Sequence, residues 1–121
     1  MKPRESAENY LETILMLSQS ENPVRSIDIV NELSFSKPSI SNAMKHLKAE
    51  GHIVMDVNGH ITLTESGREI AERVYDRHIL ISNWLISLGV DRETATNDAC
   101  RIEHDISEKS FSAIKQFLEK Q

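Results

Sequence analysis

Cys100, Glu103 and His104 stand close together in the segment NDACRIEHDIS, residues 97–107. On a helix, at about 100° per residue, the three project from one side. A thiolate, a carboxylate and an imidazole grouped in this way suit a mid or late first-row divalent ion. His78 lies earlier, on a long helical stretch that a short loop at 89–91 folds back against this segment. Asn9 and Glu12, at i and i+3, offer oxygen donors near the N-terminus, and Met16 continues their stripe. Each residue alone has a plainer reading. Cys100 reads as a small buried hydrophobe, His78 as an unliganded histidine, and Glu12 as a solvated helix charge. His46, His52 and His60 have no comparable partners and read as surface residues. A catalytic metal would also need an open coordination position and a general base. No such base stands near the triplet and no Gly-rich loop offers a substrate cradle, so no enzyme is expected.

A second chemistry is carried by Ser36-Lys37-Pro38-Ser39-Ile40-Ser41-Asn42. Small hydroxyls and an amide at a helix N-terminus allow close approach to phosphates and base edges, and the exposed N–H groups favour phosphate. Asn42 has the geometry to pair bidentately with adenine, and Ser39 and Ser41 to reach bases or backbone. Arg25, Lys37, Lys45 and Lys48 add positive charge. The tip Asn58-Gly59-His60 is expected to touch the adjacent backbone or minor groove. The candidate DNA-contacting set is therefore Arg25, Ser36, Lys37, Pro38, Ser39, Ser41, Asn42, Lys45, Asn58 and His60. The plainer reading of the serines is helix capping and solvation.

These groups need elements to hold them. AENYLETILMLS (7–18) has the apolar spacing of an amphipathic helix. Pro23 restricts Asn22 and marks a turn. Ser26 is a good N-cap for IDIVNEL (27–33), in which Ile27, Val30 and Leu33 recur near helical spacing. Ser36 caps the next helix, Pro38 is tolerated in its first turn, and Ile40, Met44 and Leu47 share one face. Gly51 is a left-handed stop. In HIVMDVNGHITLT, Asn58-Gly59 between two β-rich runs predicts a hairpin with a type I′ turn. Helix, turn, helix and hairpin in this order make a winged helix-turn-helix. Thr64 then caps a long helix over 65–88 ended by Gly89. Asp91 caps a helix running to about Ile106. Ser107 restarts a last one with Phe111, Ile114, Phe117 and Leu118 as its apolar stripe. These helices carry more apolar surface than one thin layer needs, so a homodimer interface is expected there.

Composition sets the bounds. Of 121 residues, 39% are hydrophobic and 27% charged, an ordinary soluble balance. Apolar runs are too short to span a membrane and the N-terminus lacks an apolar signal core, so a cytoplasmic protein with no membrane association is expected. A single cysteine, Cys100, excludes an internal disulfide framework and fits a reducing compartment. The net charge of −5 argues against indiscriminate coating of nucleic acid. Residues 24–62 balance four basic against four acidic side chains, which makes them the least acidic third. Modest non-specific affinity follows, and two half-sites gripped by a dimer would be needed for useful binding.

The blocks ENYLETI (8–14), SKPSISNAMKHLKAEGHI (36–53), ITLTESGREIA (61–71), DRHIL (76–80) and NDACRIEHDIS (97–107) carry a family resemblance. In order and spacing the chain is similar, over essentially its full length, to the metal-dependent repressors typified by the diphtheria toxin repressor and the manganese transport regulator. The resemblance implies a mostly α fold. A winged helix-turn-helix DNA-binding domain over 1–72 is followed by an α-helical metal-binding and dimerisation domain over 73–121. It assigns metal-ligand positions to Asn9, Glu12, His78, Cys100, Glu103 and His104. Asn9 stands where the family usually has Asp or Met. Cys100 follows the iron-sensing branch, whereas Glu12 is the residue of the manganese branch. Ser82 and Thr96 replace the Glu and His of the iron branch's ancillary site, and no SH3-like third domain follows within these residues. The implied effector is Fe2+ or Mn2+, with Co2+, Ni2+ or Zn2+ as substitutes in vitro. The implied partner is double-stranded operator DNA, bound by a homodimer. The DNA-side features taken alone also fit a winged-helix regulator that senses a small organic ligand or a protein partner and has no metal switch.

Overall fold

The computed structural model describes residues 3–120, with side chains from residue 6 onward. The elements are α1 (Pro3–Leu17), α2 (Ser26–Leu33), α3 (Lys37–Ala49), β1 (Ile53–Met55), β2 (Ile61–Leu63), α4 (Glu65–Ser87), α5 (Arg92–Asp105) and α6 (Glu108–Glu119). The mostly α architecture expected from the sequence, a helix-turn-helix with a two-stranded wing followed by further helices, is the one observed. Two compact units form, Met1–Glu72 and Arg73–Gln121, and the division falls inside α4.

In the first unit, α1 buries Leu11, Ile14 and Leu15 and touches α2, α3 and β2. Burial of each such side chain stabilises by about 1.5–3 kcal/mol. The start of α2 differs from expectation. Arg25, not Ser26, is the N-cap, and its backbone N–H donates to Asp28 Oδ2 at 2.9 Å. Asp28 satisfies the cap amide from inside the first turn, so the helix begins one residue early. The buried face of α2 is also different. Ile29 is fully buried while Ile27 is 43% exposed, because the inner face runs through Ile29 and its i+4 neighbour Leu33. The α2–α3 turn passes through Ser34 in the left-handed region, φ 57°, with its N–H donating to Val30 O at 2.8 Å.

Ser36 caps α3 as its residue type suggests. Its Oγ accepts from the Ser39 N–H at 3.2 Å, Pro38 lies in the first turn, and Ile40, Met44 and Leu47 are buried. The wing pairs Ile53 with Leu63 and Met55 with Ile61 in antiparallel register. Its turn is not type I′. Only Gly59 has positive φ, 79°, and Asn58 does not. The Gly59 N–H donates to Asp56 O at 3.0 Å, which makes Asp56–Gly59 a type I-like turn with glycine at the left-handed position after it. Asp56 decides this geometry, since its Oδ1 accepts from the Asn58 and His60 amides at 2.8 and 2.9 Å. Ile61 also donates to Val24 O at 2.7 Å, an isolated bridge that adds a third strand position to the wing.

Thr64 caps α4, its Oγ1 accepting from the Gly67 N–H at 3.3 Å and donating to Gly51 O at 2.7 Å. Gly67 is required by sterics. A Cβ there would collide with the backbone carbonyl of His52, so only glycine lets this helix lie against the start of the wing.

In the second unit, Gly89, at φ 100°, stops α4. Asp91 Oδ2 accepts from the Thr94 N–H at 3.0 Å and caps α5, and Ser107 Oγ accepts from the Ser110 N–H at 3.1 Å and caps α6. The Thr94 amide holds the Asp91 carboxyl below its ordinary value. The core is Ile81, Ala99 and Phe111, with Leu80, Leu85, Ile102 and Ile106 around it. The expected stripe on α6 is only partly inward, since Phe111 is buried but Phe117 is 62% exposed. Ile79 and Leu88 are also exposed apolar residues in this unit. Among the described residues no helix is long and apolar enough to cross a membrane.

Candidate metal centre and nucleic-acid interface

Residues Ala95, Ala99 and Glu103 form the buried stripe of α5 at i, i+4 and i+8. The two alanines are small enough to bring α5 close to its neighbours. Glu103 then occupies what would be a core position, with its side chain at 0% exposure. An ionised carboxylate taken out of water costs several kcal/mol unless it is paired. One nitrogen donor answers part of that cost. Nδ1 of His78, on α4, lies 2.9 Å from Oε2 as a donor. Nε2 of His104 lies 3.4 Å from Oε1, which has no hydrogen-bond partner among the described residues. Ligand atoms of Cys100, Glu103 and His104 all fall within 4.8 Å of one another. The side chain of His104 is only 6% exposed, whereas Cys100 is exposed. Cys100 is therefore not the small core hydrophobe its residue type allowed.

This donor set fits a divalent cation. It combines a carboxylate without solvent contact, two imidazoles and a thiol that is open to exchange. Cys100, Glu103, His104 and His78 are the residues of the second unit that would hold the ion. Asn9 and Glu12 lie on α1 in the first unit, Asn9 half-buried and Glu12 buried, with the Asn9 carbonyl accepting from Thr13 Oγ1 at 2.8 Å. Met16 is 48% exposed. Ser82 is buried and Thr96 exposed, and neither offers a carboxylate or an imidazole.

The opening of α3 is the second candidate surface. Lys37, Pro38, Ser39, Ser41, Asn42 and Lys45 are all exposed on it. Ser36 is committed locally, since it caps the helix and donates its hydroxyl proton to Ser39 Oγ at 2.8 Å. Ser41 and Asn42 make no side-chain hydrogen bond among the described residues, so their polar groups are turned to solvent. In the wing, Asn58 is exposed and His60 half-buried. His60 is held from two sides, by Arg25 Nη2 at 3.0 Å from Nε2 and by Asp56 Oδ2 at 3.2 Å from Nδ1. Arg25 and His60 are therefore one joined feature rather than two separate ones.

Sequence reasoning missed Arg77, which is buried and donates to the carbonyls of Glu103 and Ile106 at 3.1 Å each. Its one signal was its place beside His78 on the same helix. It also missed Asp56, although an Asp three residues before a turn glycine is a legible type I signal.

Comparison with known proteins decides the lineage. The family model described as the iron dependent repressor N-terminal DNA binding domain matches residues 4–61. The model for the iron dependent repressor metal binding and dimerisation domain matches residues 64–121. A relative, the HTH-type transcriptional regulator MJ0568 of Methanocaldococcus jannaschii, is 33% identical over 96% of this chain and 94% of its own. The chain belongs to the iron dependent repressor family. Within the family it is 32% identical to the transcriptional regulator MntR of Escherichia coli O157:H7, over 97% of this chain and 76% of that one. Among solved structures, the manganese regulator SloR superposes with a TM-score of 0.85 at 27% identity, covering 100% of this chain. A manganese-dependent transcriptional repressor in complex with manganese gives 0.85 at 26% identity over 93% of this chain. The chain spans 56% and 52% of the lengths of those two structures.

Proposed function

We propose that this protein is a metal-dependent transcriptional repressor. It binds operator DNA as a homodimer when Fe2+ or Mn2+ is bound, and so controls genes of metal homeostasis. The observation that carries this reading is Glu103, a fully buried carboxylate ringed by His78, Cys100 and His104. Family membership supports the same reading and does not favour a regulator that senses an organic ligand or a partner. The exposed apolar residues of the second unit support dimerisation there, with the domain boundary at residues 72 and 73. The protein is not an enzyme in this reading, and its reading of DNA implies the cytoplasm.

The full ligand set is Asn9, Glu12, His78, Cys100, Glu103 and His104. A bound dication supplies the positive charge that offsets the two carboxylates and the thiolate. Glu103 holds the His78 ring in a fixed tautomer through Nδ1–H, which leaves the lone pair of that ring on Nε2. Asn9 and Glu12 are the donors that α1 would contribute to that set. Ser36 and Pro38 fix the start of α3. Asn42 meets base edges, Ser39 and Ser41 meet bases or backbone, Arg25, Lys37 and Lys45 add positive charge, and Asn58 and His60 meet the adjacent backbone or minor groove. The switch is a population shift, so it works only as far as the DNA-competent form binds the effector better.

Operator-binding isotherms at fixed salt, with and without iron, manganese, cobalt and zinc, test the reading. A metal-induced gain in affinity of about 5–150-fold is expected, the usual size of such coupling. Equal affinity with and without every metal overturns it.

A further inference from the structure

Among the described residues of the second unit, Arg77 is the one buried side chain that carries a full positive charge without being one of the proposed ligands. It reaches from α4 to the far end of α5. Nη1 donates to Glu103 O and to Ile106 O, each at 3.1 Å. Nη2 donates to Glu108 Oε2 at 2.7 Å, and the guanidinium lies 5.3 Å from the ring centre of Phe111 on α6. The last carbonyls of a helix have no partners within it and carry its negative dipole end. Arg77 thus supplies the cap that α5 cannot make for itself. Ile106 leaves the helix in an extended conformation, ψ 138°, which turns its carbonyl away from the helix ladder.

The consequence lies at Glu103. Adjacent residues of α4 grip it at both ends. His78 holds its carboxylate and Arg77 holds its carbonyl. The backbone that orients Glu103 and His104 is the final turn of α5, where a helix would otherwise fray. We infer that Arg77 is a positioning residue for the metal centre. By locking the α5–α6 corner it sets the directions from which Glu103 and His104 present their donor atoms. This rests on the metal-centre reading above and adds to it a residue that touches no ion. Lysine cannot replace the fork, because one ammonium cannot serve two carbonyls and a carboxylate in the same planar geometry. Glu108 is a lesser part of the device. It is 69% exposed, so water screens its pairing with Arg77.

The test uses Co2+ as probe on the full chain, with the visible absorption spectrum as readout. Wild type, Arg77→Met, Arg77→Lys and Glu108→Gln are compared after circular dichroism shows each to be folded. Arg77→Met is expected to lower Co2+ affinity about 10- to 100-fold, the usual effect of losing a group that orients a ligand. At saturating Co2+ its ligand-field bands should move, which a loss of stability alone would not cause. If Arg77→Met does not fold, Arg77→Lys carries the test, with the same direction expected. Glu108→Gln keeps both carbonyl bonds and should match wild type. Wild-type affinity and wild-type bands in the Arg77 variant overturn the inference while leaving the metal centre standing. So does a loss in Glu108→Gln equal to that in Arg77→Met. A wild-type protein that binds no Co2+ overturns the metal-centre reading itself, and this inference with it.

Discussion

Arg25 Nη2 donates to His60 Nε2 across 3.0 Å and so joins the N-cap of α2 to the wing. The acceptor role of Nε2 fixes the tautomer, since the ring proton must then sit on Nδ1, which faces Asp56 Oδ2 at 3.2 Å. Two residues that sequence spacing keeps thirty-five apart thereby become one support. Together with the Val24–Ile61 bridge it sets how the wing stands beside the helix-turn-helix.

Asp56 gives this support a pH dependence. Its carboxyl is held below its ordinary value of 3.8, first by the His60 amide and, less strongly, by the Asn58 amide and the His60 ring. A lowered folded-state value means that the stabilisation is fully present above the ordinary value. It is lost as pH falls through the lower, folded one. The amide resonances of Asn58 and His60 should therefore shift together in an acid titration, with a midpoint below 3.8. In Asp56→Asn that transition should be missing. A midpoint at or above the ordinary value would refute the turn's role.

Glu103→Gln and His104→Ala are expected to abolish the metal-induced gain in operator affinity while leaving the fold intact. Gel-shift titrations with and without metal, beside circular dichroism, measure both. A variant that keeps the gain of about 5–150-fold would contradict the ligand assignment.

Asn42 is exposed near the start of α3 and has no side-chain partner among the described residues. Asn42→Ala should weaken binding to the operator by about 1–3 kcal/mol, the worth of one good bidentate base contact. Binding to scrambled DNA should change little. An equal loss on both DNAs would assign Asn42 to the backbone instead.

Gly67→Ala forces a methyl group into the His52 carbonyl. Backbone on one side and a helix on the other leave little room to adjust, so a loss of about 1–3 kcal/mol is expected. Urea denaturation reads it directly, and unchanged stability would mean that α4 shifts without cost.

By itself the sequence determined the order of elements and the ligand types. Capping residues are local, so Ser36, Thr64, Asp91 and Ser107 announced their helices. The i, i+3 and i+4 spacing of Cys100, Glu103 and His104 grouped them on one helix before any packing was known. Tertiary structure decided what local rules cannot reach. The inward face through Ile29 and the outward Phe117 each depend on what lies opposite in space, whereas Asp28 and Asp56, which set the start of α2 and the wing turn, act locally. The same holds for burial. A glutamate reads as solvated wherever it stands in a sequence. Only the packing of α4 against the alanine stripe of α5 removes Glu103 from water and gives Arg77 a helix end to cap, because desolvation and long-range hydrogen bonds belong to neighbours in space.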